Sequence, residues 1–232
     1  FNDNLTYRLS LQSQDSEGYS TNTFLNKYTN FRNESTLRSK LRWQAASDVR
    51  VDLTATLINI DNGYDAFSLD NVRDTLSDEP GFDTQDARFI SINSRFDTFQ
   101  YFSLEAQAGI ANSDNGYGYD EDWVYAGFHP WEYSSTDHYF RDRDTRNLEL
   151  RLLSTDAGAL FNGHTSWVAG IYSLDQDVNL TRIYTFLPAN FTSTHETSRL
   201  AIYAETNTRL SDNWSVDAGL RSERFKARYH DS

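Results

Sequence analysis

Apolar and polar residues alternate with a period of two over much of this chain. Leu5, Tyr7, Leu9 and Leu11 share one parity, and Thr6, Arg8, Ser10 and Gln12 take the other. Leu37, Leu41, Trp43 and Ala45 alternate with Arg38, Lys40, Arg42 and Gln44 in the same way. Val51, Leu53, Ala55 and Leu57 repeat the pattern against Arg50, Asp52, Thr54 and Thr56. Successive side chains on a strand point to opposite faces, so each run predicts a β-strand with one greasy and one polar face. Strands are expected over residues 5–14, 36–45, 49–59, 88–96, 102–111, 148–152, 167–171, 198–210 and 214–223. That makes about nine, with almost no helical periodicity.

The connections supply the next clue. Residues 47–48, 97–98 and 211–213 are tight and rich in Ser, Asp and Asn, the chemistry of turns. Residues 15–35, 60–87, 112–146 and 173–197 are long, and 154–163 is intermediate. Long and short links in alternation are expected of an antiparallel up-and-down β-barrel, with short periplasmic turns and long extracellular loops. A soluble sandwich has no reason to keep that rhythm, although its strands would look alike one at a time. Aromatics agree with the barrel: Trp43 and Phe96 stand just before short turns, Phe102 and Trp214 just after them, and Tyr7 fits near the same end. All five carry the parity of the greasy face, as a girdle at a membrane interface requires. The opposite parity mixes both charges, among them Arg8, Arg42, Asp52, Arg95, Glu105, Arg151, Asp217 and Arg221. Such neighbours can pair across strands in a wet or plugged lumen.

Composition narrows the reading. The net charge of −13 argues against nucleic acid as a partner, because phosphate binding needs clustered Lys and Arg. The absence of Cys removes disulfides and thiol chemistry. No apolar run is long enough for a transmembrane helix. The chain starts at Phe1 and has no Met, as expected of a mature or internal piece.

Residues 198–223 run Ser-Arg-Leu-Ala-Ile-Tyr-Ala-Glu, turn at Ser-Asp-Asn-Trp-Ser, and return as Val-Asp-Ala-Gly-Leu-Arg. This hairpin resembles the late-barrel hairpin of TonB-dependent outer-membrane receptors. Trp167-Val168-Ala169-Gly170-Ile171-Tyr172 resembles the strand before it, and residues 64–81 resemble an extracellular loop of some members. The resemblance covers essentially the whole chain. It implies a transmembrane barrel of 22 strands, so residues 1–232 are expected to be part of that barrel, with no plug domain. It also implies a Gram-negative outer membrane and lipid around the wall. Coupling to TonB and its inner-membrane complex would run through the plug, and the ligand would be a scarce nutrient: a ferric siderophore or similar chelate, a cobalamin-like cofactor or a sugar. Two other readings fit the strands: a small self-contained outer-membrane barrel with adhesive or structural duty, and a secreted carbohydrate-binding β-sandwich.

Candidate chemistry concentrates in two acidic stretches. Residues 61–88 hold eight acids and two bases, and residues 112–146 hold eight acids and three bases. Aromatics lie among them. Rings can stack on a ligand while charged groups orient it. Tyr64, Asp65, Tyr119, Trp123, Tyr125, His129, Trp131, Arg141 and Arg143 are the expected ligand-binding residues; a hydrated surface loop is the plainer explanation. No catalytic motif appears, so an enzyme is not expected. No cofactor is expected beyond structural calcium, for which Asp120-Glu121-Asp122 and Asp175-Gln176-Asp177 offer oxygens. The second run begins like a calcium-binding loop but has Leu180 where that loop needs Gly and Phe186 where it needs Glu.

Overall fold

A computed structural model describes residues 4–232. In chain order the strands are β1 (Leu5–Ser16), β2 (Thr21–Asn22), β3 (Arg32–Ala46), β4 (Val49–Tyr64), β5 (Asp74–Thr75), β6 (Gly81–Phe96), β7 (Phe102–Asp120), β8 (Thr136–Ser154), β9 (Thr165–Tyr184), β10 (Phe191–Ser211) and β11 (Trp214–Asp231). Nine of them form one antiparallel up-and-down sheet in the order β1-β3-β4-β6-β7-β8-β9-β10-β11. The two-residue strands β2 and β5 pair with each other, in parallel, outside that sheet.

All nine expected strands are present, and their turn-side ends fall close to the expected positions. Their other ends run well beyond. β7 continues to Asp120, β8 begins at Thr136 and β9 runs to Tyr184. The long 112–146 connection is therefore mostly two paired strands, leaving residues 121–135 as the loop. The long 173–197 connection shrinks to residues 185–190, shorter than the turn-side link at 155–164. Asp175 and Asp177 stand within continuous β9, whose extended backbone does not wrap a cation as a calcium-binding loop does.

The greasy face is bare. Leu53, Ile92, Ile110, Leu148, Ile171, Leu200, Ile202 and Leu220 are all exposed, and the only buried apolar residues among those described are Val124 and Ala201. Among the described residues no second layer covers this face, so the sandwich reading fails. Instead the exposed stripe suits lipid, which solvates apolar side chains at no cost. Ladders on both sides satisfy the backbones of the seven inner strands, as a membrane-spanning wall demands, while β1 and β11 each present one open edge.

Register gives the strands' tilt. The row through Trp43 passes Val51, Ser94, Ala106, Leu150, Ile171 and Ile202 to Ser222, eight residues beyond Trp214. Rows perpendicular to the strands thus climb steadily away from the turns, as tilted strands in a barrel require. Each of Trp43, Phe96, Phe102 and Trp214 stays beside its own turn, and Tyr7 accepts a hydrogen bond from Ser39 Oγ at 3.4 Å. On the polar face the expected cross-strand pairs form: Arg42 with Asp52 (2.6 Å), and Glu105 with both Arg95 (2.9 Å) and Arg151 (2.6 Å).

Candidate functional site

Beyond the greasy belt, the outward positions of β7 change from Leu104, Ala106, Ala108 and Ile110 to Asn112, Asp114, Gly116 and Gly118. The strands continue there without an apolar stripe, into the extracellular mouth. Their inward parity gathers one cluster. Tyr117 and Tyr119 come from β7, Asp137 and Tyr139 from β8, Arg182 and Tyr184 from β9, and Tyr64 from the end of β4. Register sets Tyr119 opposite Asp137 and Asp137 opposite Tyr184.

Asp137 is the pivot of this cluster. It is 2% exposed and accepts from Arg182 Nε at 2.8 Å, Arg182 Nη2 at 2.6 Å, Tyr139 Oη at 2.8 Å and Tyr119 Oη at 3.4 Å. Burial alone would raise its pKa, but the hydrogen bonds from Arg182 and Tyr139 and the guanidinium charge outweigh it and hold the carboxyl below its ordinary range. The hydrogen bond to Asp137 raises the pKa of Arg182 in turn. Burial, then the Asp137 carboxylate, pushes the Tyr139 phenol up to about 12, and burial likewise raises Tyr117. These tyrosines stay protonated donors. The guanidinium also lies over the rings of Tyr139 (5.3 Å) and Tyr184 (4.8 Å), a cation–π arrangement.

The rings continue as a chain. Tyr117 meets Tyr64 at 5.0 Å and Tyr139 at 6.4 Å, and Phe67 lies between Tyr64 (6.0 Å) and Tyr119 (6.1 Å). Trp123 stacks on Phe67 at 4.7 Å. Its φ of 65° is unusual for a bulky residue, so the surrounding packing sustains a strained backbone there.

The other expected residues divide. Tyr125 stacks on Phe24 of the first loop at 4.3 Å, away from the tyrosine wall. His129 Nδ1 accepts from the Trp131 backbone N–H at 3.2 Å within the loop, while the Trp131 side chain is 87% exposed. Arg141 and Arg143 are exposed in strand β8 and share the inward parity of Tyr139. Asp65 is committed elsewhere: its Oδ2 accepts from Asn22 Nδ2 (3.0 Å), Thr75 Oγ1 (2.6 Å) and Thr29 Oγ1. It locks the first loop to the second beside the β2–β5 bridge. Sequence reading missed Arg182, which stands in a stretch read as loop; a continuation of the β9 parity from Ile171 would have placed it inward.

Asp120 ends β7 outside the membrane span, with Asp122 next along the loop. Burial and the Asp122 carboxylate beside it push Asp120 up to about 7. Among the described residues, no group of three or more His, Cys, Asp or Glu side chains could hold a metal ion.

No protein-family model and no curated protein matches the chain. Its structure is similar to the ferric yersiniabactin uptake receptor FyuA from Yersinia pestis, with a TM-score of 0.77 at 15% identity over 99% of this chain and 36% of that one. It is similar to the unliganded ferric citrate transporter FecA, with a TM-score of 0.74 at 12% identity over 100% of this chain and 34% of that one. The ferric preacinetobactin receptor BauA from Acinetobacter baumannii matches with a TM-score of 0.68 at 15% identity over 99% of this chain and 38% of that one. The chain spans about a third of the length of these receptors. The chain thus has the fold of a nine-stranded part of the barrel wall seen in TonB-dependent outer-membrane receptors.

Proposed function

We propose that this chain forms part of the wall and extracellular mouth of a receptor that imports a metal chelate across the outer membrane of a Gram-negative bacterium. The observation that carries this reading is the inward wall of Tyr64, Tyr117, Tyr119, Tyr139 and Tyr184 around the Asp137–Arg182 pair, with Trp123 at its rim. Flat rings stack on a planar chelator, and Arg141 and Arg143 below offer positive charge to an anionic complex. The pair itself is internally neutral and serves to hold the rings. Transport of ferric chelates by proteins of this fold supports the proposal, and supports a transport role over an enzymatic one. The outward apolar face would meet lipid. TonB and its inner-membrane complex would supply energy through a plug lying outside this chain.

The test is a fluorescence titration of the native polypeptide in detergent with ferric hydroxamate, ferric catecholate and ferric citrate. Trp123 reports on the wall. We expect one class to quench, and Tyr117→Ala with Tyr139→Ala to weaken that class by about 5- to 150-fold, since two stacking contacts contribute roughly 0.5–1.5 kcal/mol each. Trp123→Ala should weaken it too, and Trp131→Ala much less. No quenching by any class, together with unchanged iron-limited growth after deletion, would overturn the proposal.

A further inference from the structure

Ser77, Asp120 and Asp122 meet where the loop between β4 and β6 lies against the loop between β7 and β8. Asp120 Oδ1 accepts the Asp122 backbone N–H at 3.3 Å, and Asp122 Oδ1 accepts the Ser135 backbone N–H at 3.2 Å. Each carboxylate is therefore held by one oxygen. The other oxygen of each, Asp120 Oδ2 and Asp122 Oδ2, is buried and closes no hydrogen bond. Ser77 Oγ is in the same state, on a residue only 1% exposed. Both the Asp122 carboxylate and the Ser77 hydroxyl lie against the Asp120 carboxyl group. Three buried oxygens, two of them on carboxyl groups, thus crowd one place, and the single Ser77 hydroxyl proton cannot satisfy both carboxylates. Buried polar groups left this way cost about 1–3 kcal/mol each, so a partner is needed.

We propose that these three oxygens bind a divalent cation of the calcium class, which clamps the two acidic loops together. Hard cations take oxygen ligands, and calcium accepts an irregular set completed by water. The clamp reaches further through Ser77, whose backbone carbonyl accepts from Asn22 Nδ2 at 2.7 Å. Asn22 is fully buried in the β2–β5 bridge and also bonds Asp65, so the cation would order three loops at once. Alanine 126 adds a second tie between the same loops, its N–H donating to Asp78 Oδ2 at 2.9 Å. This inference does not depend on which cargo the receptor carries.

The experiment is hydrogen exchange of the native polypeptide in detergent, read on peptides covering residues 76–80 and 120–135. Calcium is added to chelator-treated protein, with magnesium as the comparison. We expect calcium to slow exchange in both peptides with a midpoint of about 0.1–1 mM, as for other extracellular calcium sites, and magnesium to do so only at much higher concentration. The Asp120→Asn, Asp122→Asn double variant should lose the response. Ser77→Ala, which removes one neutral ligand and keeps both charges, should shift the midpoint several-fold upward. Equal exchange in chelator and calcium overturns the proposal. So does a double variant that responds at the wild-type midpoint. If the double variant does not fold, an unmoved midpoint in Ser77→Ala overturns it.

Discussion

Replacing Arg182 by Met should loosen the mouth of the barrel without disturbing its membrane-spanning part. The change removes two of the four hydrogen bonds to Asp137, at 2.8 and 2.6 Å, and leaves the Tyr139 donor at 2.8 Å and a long contact to Tyr119. Asp137 is too buried to recover those bonds from water. Breaking a buried pair from one side costs about 3–5 kcal/mol, and the Arg182 side chain is 33% exposed, which places the local cost nearer ~2–4 kcal/mol. Hydrogen exchange in residues 117–122 and 136–140 reads local opening. It should speed up by a factor of about 30 to 700, since ~1.4 kcal/mol is tenfold. The decisive comparison is Asp137→Asn with Arg182→Met, which removes the orphaned charge and should recover much of the protection. Exchange in the single variant within about threefold of wild type, less than ~1 kcal/mol, would refute the account. So would a double variant that opens more readily than the single one.

Other consequences are open to measurement. The Asp137 carboxyl lies below its ordinary range, so the pair's stabilisation is full above the ordinary carboxylate pKa and is lost as pH falls through the lower folded value. Near-UV circular dichroism of the tyrosines should therefore hold steady from neutral pH down through the usual carboxylate range and collapse only below it; a collapse near pH 6 would contradict this. Asp65→Ala strips the acceptor from three side chains and should cost about 1 kcal/mol or more for each donor left unpaired. Trypsin should then cut faster at Arg73 while the barrel stays folded. Leu148→Arg, on the exposed greasy face, should destabilise the inserted barrel by about 2–4 kcal/mol in urea titrations in bilayers. An equal effect from Gln107→Arg, on the lumen face, would sink the assignment of faces.

Much of the architecture was legible in the chain because lipid demands one uniformly apolar face. Leu5 to Leu11 or Leu104 to Ile110 alternate cleanly for that reason. Above the belt both faces meet water or each other, so Asp142, Arg143 and Asp144 carry no period-two signal although the hydrogen-bond ladder with β7 and β9 runs on unbroken. Strand ends read from hydrophobicity stop where the lipid stops. This is why Arg141 and Arg143 were read as loop residues and lie on a strand, and why Arg182 escaped notice. Tyr64, Tyr119 and Trp123 were found because aromatics stand out against acidic neighbours. Asp65 looked like a ligand group by the same logic, yet its carboxylate is occupied by Asn22, Thr29 and Thr75, partners 43, 36 and 10 residues away. No local pattern announces a contact of that kind.

The parallel bridge between Thr21–Asn22 and Asp74–Thr75 is only two residues long on each side. It nevertheless changes what capture of a ligand costs. Thr21 donates to the Arg73 carbonyl at 3.0 Å and Thr23 to that of Thr75 at 3.0 Å, so two loops that could each sample many conformations are joined before any ligand arrives. Fixing a residue's backbone costs about 1–2 kcal/mol of entropy. Where folding has already met that cost, a ligand entering the mouth keeps more of its contact energy as affinity. The receptor role proposed above would gain from such rigidity, because tight binding must come from a modest number of contacts. Severing the bridge would then weaken binding through residues that never touch the ligand.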